Sequence, residues 1–204
     1  MNRTRYSMSF TSGGLLLVHS SALAQLYLQL TDWSRTRKFA ASQNLFQSRT
    51  QNAFQRTYIE ISTRLKTLTS TELRFLSTAP PAQQAALLWI AVCRRYLFIA
   101  EFTAEVLRER CHSLLRSVSS HDFDAFFNRR AEWHPELDQI SSTTRTKLRQ
   151  VLFRMLRESK LLHPPDTLAL DVPCPAVTKL LLETAPNDLR FFPAFPPNPQ
   201  ELPL

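Results

Sequence analysis

Residues 85–106, AALLWIAVCRRYLFIAEFTAEV, form the most apolar stretch of the chain and decide its fold class. The stretch is apolar on nearly every side, which is typical of a helix that crosses a membrane or lies in a protein core. Arg94 and Arg95 interrupt it, and the uncharged run before them, residues 80–93, has 14 residues. A membrane-spanning helix needs about 20. We therefore expect a pair of buried central helices and no membrane span.

The chain contains only two glycines, Gly13 and Gly14, next to each other. Motifs that wrap backbone around a phosphate or an oxyanion need repeated glycines, so the Rossmann fingerprint, the P-loop and the nucleophile elbow are absent from the sequence. The primed turns of β-hairpins also favour glycine, so a sheet-rich fold has little support. A composition that is 44% hydrophobic over 204 residues is nevertheless sufficient for a folded core.

On either side of the central stretch, apolar residues recur at helical spacing, so the sequence predicts an all-α, compact multi-helix globular fold. The clearest amphipathic helix in the N-terminal half is capped by Thr50 and reaches about Leu68. Its apolar stripe consists of Phe54, Tyr58, Ile61, Leu65 and Leu68. Other helices are predicted at residues 20–30, 33–42, 71–77, 121–133, 143–160 and 176–183, with one helical turn after Pro135.

Three regions are predicted, and we expect them to form one globular unit. They are an N-terminal helical region at residues 1–79, a central region at 80–162 and a proline-rich C-terminal segment at 163–204. Residues 168–172 suit a small extended segment. Residues 163–175 leave room for a short wing-like hairpin beside the preceding long helix.

The end of the chain combines prolines with aromatic side chains. Six prolines follow from Pro186 onward, and Phe191, Phe192 and Phe195 lie among them. We expect an extended arm that packs these rings on the body. The alternative is a proline-rich ligand for a partner protein.

The charge of the chain is strongly basic and unevenly distributed. Residues 1–160 hold 23 basic and 12 acidic residues, a net charge of +11, whereas residues 161–204 carry −3. Arginine dominates, with 20 residues against 5 lysines, and its planar guanidinium suits phosphate oxygens and guanine edges. A basic body indicates a polyanionic partner, because neutralised phosphates release their counterions; a merely soluble basic protein is the alternative.

Two segments share the plan of a helix-turn-helix: a short helix, a tight break and a longer amphipathic helix with a polar outer face. The stronger one is residues 141–160, SSTTRTKLRQVLFRMLRESK, with Ser142 or Thr143 as the expected cap. Its predicted apolar stripe is Leu148, Val151, Leu152, Met155 and Leu156. Its candidate DNA-binding residues are Thr143, Thr144, Arg145, Lys147, Arg149, Gln150 and Arg154.

Positive charge in the first turn of that helix opposes the helix dipole, which favours a functional reason for Arg145 over a stabilising one. An ordinary solvated helix face is the alternative. The weaker segment spans residues 32–68, and there Glu60 is expected on the same side as the polar residues, while Arg64 is expected to pair with an acid. Its candidate DNA-binding residues are Arg35, Arg37, Lys38, Arg49, Thr50, Asn52 and Arg56.

Residues for catalysis or metal binding are not grouped in the sequence. The three cysteines are far apart and the five histidines are scattered, so neither a disulfide framework nor a zinc site is indicated. His121 and Asp124 lie three residues apart and could share a metal, but helix capping accounts better for the acids of this segment. We expect no enzyme activity, no cofactor and no bound metal.

Several long strings together resemble the BrxA family, small core proteins of bacteriophage exclusion (BREX) defence systems. They are YSMSFTSGGLLL, TDWSRTRK, NLFQSRT, ISTRLKTL, LLWIAVCRRYLFIAEFTAEVLRE and STTRTKLRQVLFRMLRE, and the resemblance covers about residues 6–160. It implies an all-helical cytoplasmic protein with helix-turn-helix elements suited to double-stranded DNA. It also implies an accessory role, because other subunits of such systems supply the methyltransferase, ATPase and phosphatase activities.

The leading hypothesis is therefore a monomeric or weakly associating DNA-binding protein that contacts duplex phosphates with limited sequence preference. The alternative is an adaptor that assembles other BREX proteins, docking through the aromatic tail or the central helices. The N-terminus shows no export signal, so a cytoplasmic location is expected.

Overall fold

The chain folds into a set of packed helices with one very small β-sheet. The computed structural model describes residues 5–11, 13–113, 116–170 and 173–195. In its first half the helices are α1 (Leu17–Leu30), α2 (Trp33–Ser42), α3 (Gln51–Leu65), α4 (Ser70–Thr78), α5 (Pro81–Arg95) and α6 (Leu97–Phe102). A π-helical turn (Thr103–Leu107) leads into α7 (Arg108–His112), followed by α8 (Ser120–Ala131), α9 (Pro135–Asp138) and α10 (Ser142–Glu158). The chain continues with β1 (Leu162–His163), β2 (Thr167–Leu168), α11 (Pro175–Thr184) and a 3-10 helix (Pro186–Phe191).

The all-α prediction is confirmed, and the buried central stretch forms the middle of the fold. The helix breaks at Tyr96, whose backbone is extended, so α5 and α6 are separate helices. Trp89 and Ile99, one on each of the two helices, have no exposed surface. In the described part of the chain, every helix is too short or too polar to cross a bilayer.

The charges in and beside this stretch are held by partners, which explains how a core can contain them. Arg94 bonds both Glu72 on α4 and Asp188 in the 3-10 helix, with its guanidinium only slightly exposed. Arg64 on α3 is buried and pairs with Glu60, as expected of an arginine at the core edge.

Helix α3 forms because its cap and its apolar stripe agree. The side chain of Thr50 accepts a hydrogen bond from the Ala53 backbone N–H, as a helix cap does. The helix ends at Leu65, three residues earlier than predicted, although Leu68 is still buried. The predicted stripe faces the core: Phe54, Tyr58, Ile61, Leu65 and Leu68.

The aromatic face of α8 packs on α6. Phe98 meets Phe123, Phe126 and Phe127 in edge-to-face contacts, with ring centroids 5.1 to 5.9 Å apart. The cap is Ser119, one residue before the predicted Ser120, and it forms a capping box with Asp122. Helix boundaries read from a sequence commonly shift by this much, because neighbouring serines can serve equally well.

Residues 5–11 and 13–15 lie beside α9 and α10. The backbone N–H of Tyr6 donates to Glu136 on α9 at 2.7 Å, and the N–H of Leu15 donates to Glu158 at the end of α10 at 2.5 Å. A Cβ at Gly14 would overlap the Glu158 carboxylate, so a larger residue there would displace that side chain from the Leu15 N–H. The segment therefore follows α10 along its length.

The described part of the C-terminal segment is packed on the body, but residues 186–191 do not form the extended arm that the prolines predicted. Residues 186–191 form a 3-10 helix, since Pro186 is tolerated in a first turn. The expected burial of Phe191, Phe192 and Phe195 is confirmed, at 2 to 3% exposure. The indole N–H of Trp89 donates to the Phe191 carbonyl at 2.9 Å.

The two strands form an antiparallel hairpin directly after α10. Leu162 pairs with Leu168, and His163 pairs with Thr167. A third segment joins the sheet on the far side of β2, where Ser117 bridges Thr167. The hairpin considered at residues 163–175 is thus present. It begins at Leu162, one residue before that range, and its second strand ends at Leu168. The limits of the three predicted regions stay a prediction.

Candidate nucleic-acid interface

Helix α10 carries the first of the two candidate surfaces. Its cap is Ser141, whose side chain accepts from the Thr144 backbone N–H at 3.2 Å, so the predicted cap at Ser142 or Thr143 was wrong by one or two residues. Its buried face contains the whole predicted stripe and Phe153 in addition: Leu148, Val151, Leu152, Phe153, Met155 and Leu156. This burial fixes which side of α10 remains open.

Four side chains on the open side form a line that we call the α10 ridge: Thr143, Lys147, Gln150 and Arg154. All four are exposed. At 100° per residue they fall within about 60° of one another around the helix axis, so they project in one direction. The ridge therefore presents hydroxyl, ammonium, amide and guanidinium groups together.

A groove of 670 Å³ runs beside the ridge. Thr11, from the N-terminal segment, forms one wall of it, and residues at the start of α10 form the other. The lining residues are Thr11, Ser142, Thr143, Thr144, Thr146, Lys147 and Gln150. Thr11 and Thr146 were missed at the level of sequence: Thr11 is far from α10 along the chain, and Thr146 differs in no visible way from its neighbours.

Arg145 and Arg149 do not belong to the ridge, because both point to Asp124 on α8. Arg145 donates from Nε to Asp124 Oδ1 at 2.9 Å and from Nη1 to Asn128 Oδ1 at 2.8 Å, and its guanidinium lies 4.3 Å from the Phe127 ring centre. Arg149 donates to Asp124 Oδ2. These two candidates thus join α10 to α8 and leave less of their charge for a partner.

The pairing of Asp124 also bears on the metal hypothesis. Both carboxylate oxygens of Asp124 accept from arginines, which are poor neighbours for a cation. His121 is exposed. No group of three potential metal ligands occurs among the described residues. Of the two acids of this segment, only Asp122 is explained by helix capping. Burial opposes its ionisation, but bonds from Ser119 and Arg110 hold the pKa of this carboxyl below its usual value. Asp124 is engaged by ion pairs instead.

The far end of α10 is linked to the hairpin. Arg157 forms two parallel hydrogen bonds to Asp166, from Nε to Oδ1 at 2.7 Å and from Nη2 to Oδ2 at 2.8 Å. These bonds raise the pKa of Arg157 above its usual value. Arg154, in contrast, pairs within α10 with Glu158 and stays largely exposed.

A second groove, of 300 Å³, lies between the helix and the hairpin. It is lined by Ser120, Arg149, Gln150, Phe153, Arg157 and Asp166. Gln150 lines both grooves, so the polar surface is continuous from the N-terminal segment across α10 to the hairpin.

The second candidate surface, on α2 and α3, is more open than the sequence suggested. All seven of its predicted residues are exposed. Arg37 reaches Gln55 Oε1 at 2.6 Å, and Thr50 serves as the helix cap. Glu60, expected beside these cations, is buried against Arg64 and Tyr96, so that expectation was wrong. The exposed residues are Arg35, Arg37, Lys38, Arg49, Thr50, Asn52 and Arg56.

The fold and this surface define a class: a compact helical protein that presents a polar, basic helix ridge beside a small β-hairpin. The family model for BrxA matches residues 4–181, and the chain belongs to the BrxA family. A BREX protein BrxA from Escherichia coli O9:H4 (strain HS) is 22% identical over 153 residues, which cover 75% of this chain and 72% of that protein. The resemblance found in the sequence strings is confirmed.

The fold is shared with a solved structure. The crystal structure of an uncharacterized protein from Magnetospirillum magneticum has a TM-score of 0.83 to this chain at 17% identity, over 93% of this chain and 98% of that one. At this identity the similarity shows the fold alone.

Proposed function

We propose that the chain is a non-catalytic, double-stranded-DNA-binding component of a BREX phage-defence system. The α10 ridge is the observation that carries the proposal. An exposed line of cationic and amide side chains on one helix is suited to the major groove, where lysine and arginine contact phosphates or guanine and glutamine contacts adenine. We infer that the protein acts in the cytoplasm as a monomer.

We propose that α8, α9 and α10 act as a helix-turn-helix that presents this ridge. The longer helix follows a short turn and buries its other face, so its polar residues are held in place by the core. Helices α2 and α3 offer a second surface of the same kind, with Arg49, Asn52 and Arg56 near the break. Two such surfaces favour binding dominated by phosphate contacts over recognition of one short sequence.

Binding to duplex DNA across a series of salt concentrations tests the proposal. Wild-type affinity is expected to fall steeply with salt, since each phosphate contact contributes a slope of about −0.9 in log affinity against log salt. Lys147→Glu should weaken binding about tenfold and reduce the slope. Lys147 suits this test better than Arg145 or Arg149, because it takes part in no ion pair among the described residues.

Lys179→Glu, on the exposed side of α11, makes the same change in net charge away from the ridge and serves as the matched control. It should retain wild-type affinity. Binding without salt dependence, or equal affinities for Lys147→Glu and the wild type, would show the proposal to be wrong.

Other BREX proteins are the second class of partner that we propose, as the family suggests. The aromatic rings of the tail and the central helices are buried in the folded chain, so neither is available as a docking surface without unfolding. An adaptor role would therefore use exposed apolar side chains elsewhere, of which Phe39 and Ile59, at 49% and 56% exposure, are examples.

A further inference from the structure

The small sheet joins the part of the chain before α8 to the part after α10. Residues 116–118 pair with β2: the N–H of Leu168 donates to the Arg116 carbonyl, and the N–H of Val118 donates to the Asp166 carbonyl, both at 2.9 Å. The hairpin is therefore stabilised on one side by a third extended segment. The hairpin follows α10 directly in the chain, so it lies next to the end of the helix that carries the α10 ridge.

The base and the tip of the hairpin differ sharply in burial. Leu162 and Leu168 face the core at 2% and 3% exposure, so the base is fixed. The tip residues are exposed and bury little apolar surface against the core: His163, Pro164 and Pro165. A rigidly supported tip without a packing role is suited to contact with a partner.

The orientation of the tip is set by α10 itself. The bidentate pair between Arg157 and Asp166 ties the tip to the last turn of the ridge helix. The Asp166 N–H also donates back to the His163 carbonyl at 2.7 Å, which closes the turn. Because Arg157 neutralises Asp166, the tip carries no net negative charge that would repel a phosphate, and His163 supplies a ring N–H donor.

From this geometry we propose that the β1–β2 hairpin is a wing: a second DNA-contacting element that lies against the backbone of the same duplex whose groove receives α10. The inference rests on the proposed function. The 300 Å³ groove between α10 and the hairpin, lined by Arg149, Gln150 and Arg157, gives a continuous polar path for a phosphate backbone from ridge to tip. Asp166 is then a positioning residue, which acts through the placement of the tip.

Charge substitutions at the tip test the wing. His163→Glu should lower duplex affinity about three- to tenfold, and His163→Lys should raise it, because only a residue near phosphates responds in opposite directions to the two charges. Thr71→Glu and Thr71→Lys make matched changes on α4 and should leave affinity unchanged. Both positions are exposed, so the melting temperature of all four variants should remain that of the wild type.

Hydroxyl-radical footprinting supplies a readout that a purely structural role would not alter. Wild-type protein should protect a stretch of backbone beside the groove contacted by α10. His163→Glu should lose that flanking protection while the protection due to α10 remains. Lys147→Glu should weaken both.

The outcomes separate the wing from the proposed function. If Lys147→Glu loses affinity while His163→Glu and His163→Lys both bind like wild type with an unchanged footprint, the wing is wrong and DNA binding stands. If wild-type protein fails to bind duplex, both proposals are wrong.

Discussion

Arg145 lies in the first turns of α10 with its guanidinium between the Phe127 ring and the carboxylate of Asp124. Its position against the helix dipole, which suggested a binding role, has a structural explanation: neighbours on α8 supply the compensating negative charge. Lys147, two residues later, has the same formal charge and points into the 670 Å³ groove. Whether a cationic side chain is available to a partner therefore depends on the acidic and aromatic groups around it.

Arg145→Ala should destabilise the fold by about 1 to 3 kcal/mol, because it removes charge-assisted hydrogen bonds to Asp124 and Asn128 at a partly exposed site and a contact with an aromatic ring. Urea denaturation followed by circular dichroism measures this. Lys147→Ala is the control and should stay within about 0.5 kcal/mol of wild type. Equal stabilities for the two variants would contradict the structural assignment of Arg145.

At the scale of single elements, the start of α4 combines a helix cap with an ion pair. Thr69 and Glu72 form a capping box, and the same Glu72 carboxylate accepts from Arg94 and from the Thr184 hydroxyl. Burial alone would raise the pKa of Glu72, but these bonds hold it below its usual value of 4.5. One carboxylate thereby joins α4, α5 and α11.

Glu72→Gln should destabilise the protein by about 1 to 3 kcal/mol at neutral pH, because it removes the fully buried one of the two carboxylates that pair with Arg94 and leaves only Asp188. The pKa of Glu72 is lower in the folded state, so its ionisation contributes its full stabilisation above pH 4.5, and this contribution is lost as the pH falls from there through the lower pKa of the folded state. Denaturation at a series of pH values should therefore show the wild-type and Glu72→Gln stabilities converging below about pH 4. Glu183→Gln, at an exposed position of α11, should follow the wild-type curve; parallel curves for Glu72→Gln would rule out this role.

The elements themselves were largely predictable, because each depends on residues close together in the chain. Stripes such as Leu148, Val151 and Leu152 have a helical period that can be read directly, and most caps were placed within two residues. The 3-10 helix at residues 186–191 was not predicted. It is held by two residues of α5, about a hundred residues earlier: Trp89 donates to the Phe191 carbonyl and Arg94 donates to Asp188. No local pattern reveals such contacts.

At the scale of the whole molecule, the first and last described residues of the chain contact its central part. Tyr6 packs its ring on His134, with centroids 4.0 Å apart, and Phe195 accepts a hydrogen bond from Arg108 through its carbonyl. Asp188 reaches Arg94 in the middle of α5. Contacts thus link the N-terminal, central and C-terminal parts of the described chain.

The position of a C-terminal truncation should accordingly decide its effect. A chain ending at Phe195 should keep the wild-type melting temperature within about 2 °C and the wild-type duplex affinity, because the buried rings remain. Removal of residues 186–204 also removes Phe191, Phe192 and the Asp188 partner of Arg94, and should lower the melting temperature sharply. Calorimetry with duplex binding on both variants measures this.

A chain ending at Phe195 that lost association with another BREX protein but kept DNA binding would favour an adaptor role for the last nine residues. Equal stability of the two truncated chains would contradict the packing of the C-terminal segment.

The sequence by itself determined the helical class, the amphipathic faces, the core position of residues 85–106 and the membership of the BrxA family. It did so because periodicity, capping and glycine content are local properties that the chain order records. Only the tertiary structure decided which cations are available, since Asp124 and Asp166 approach their arginine partners through folding. It also brought Thr11 into the groove beside α10 and placed the hairpin next to the ridge. Both are long-range arrangements, determined by how the buried faces pack together.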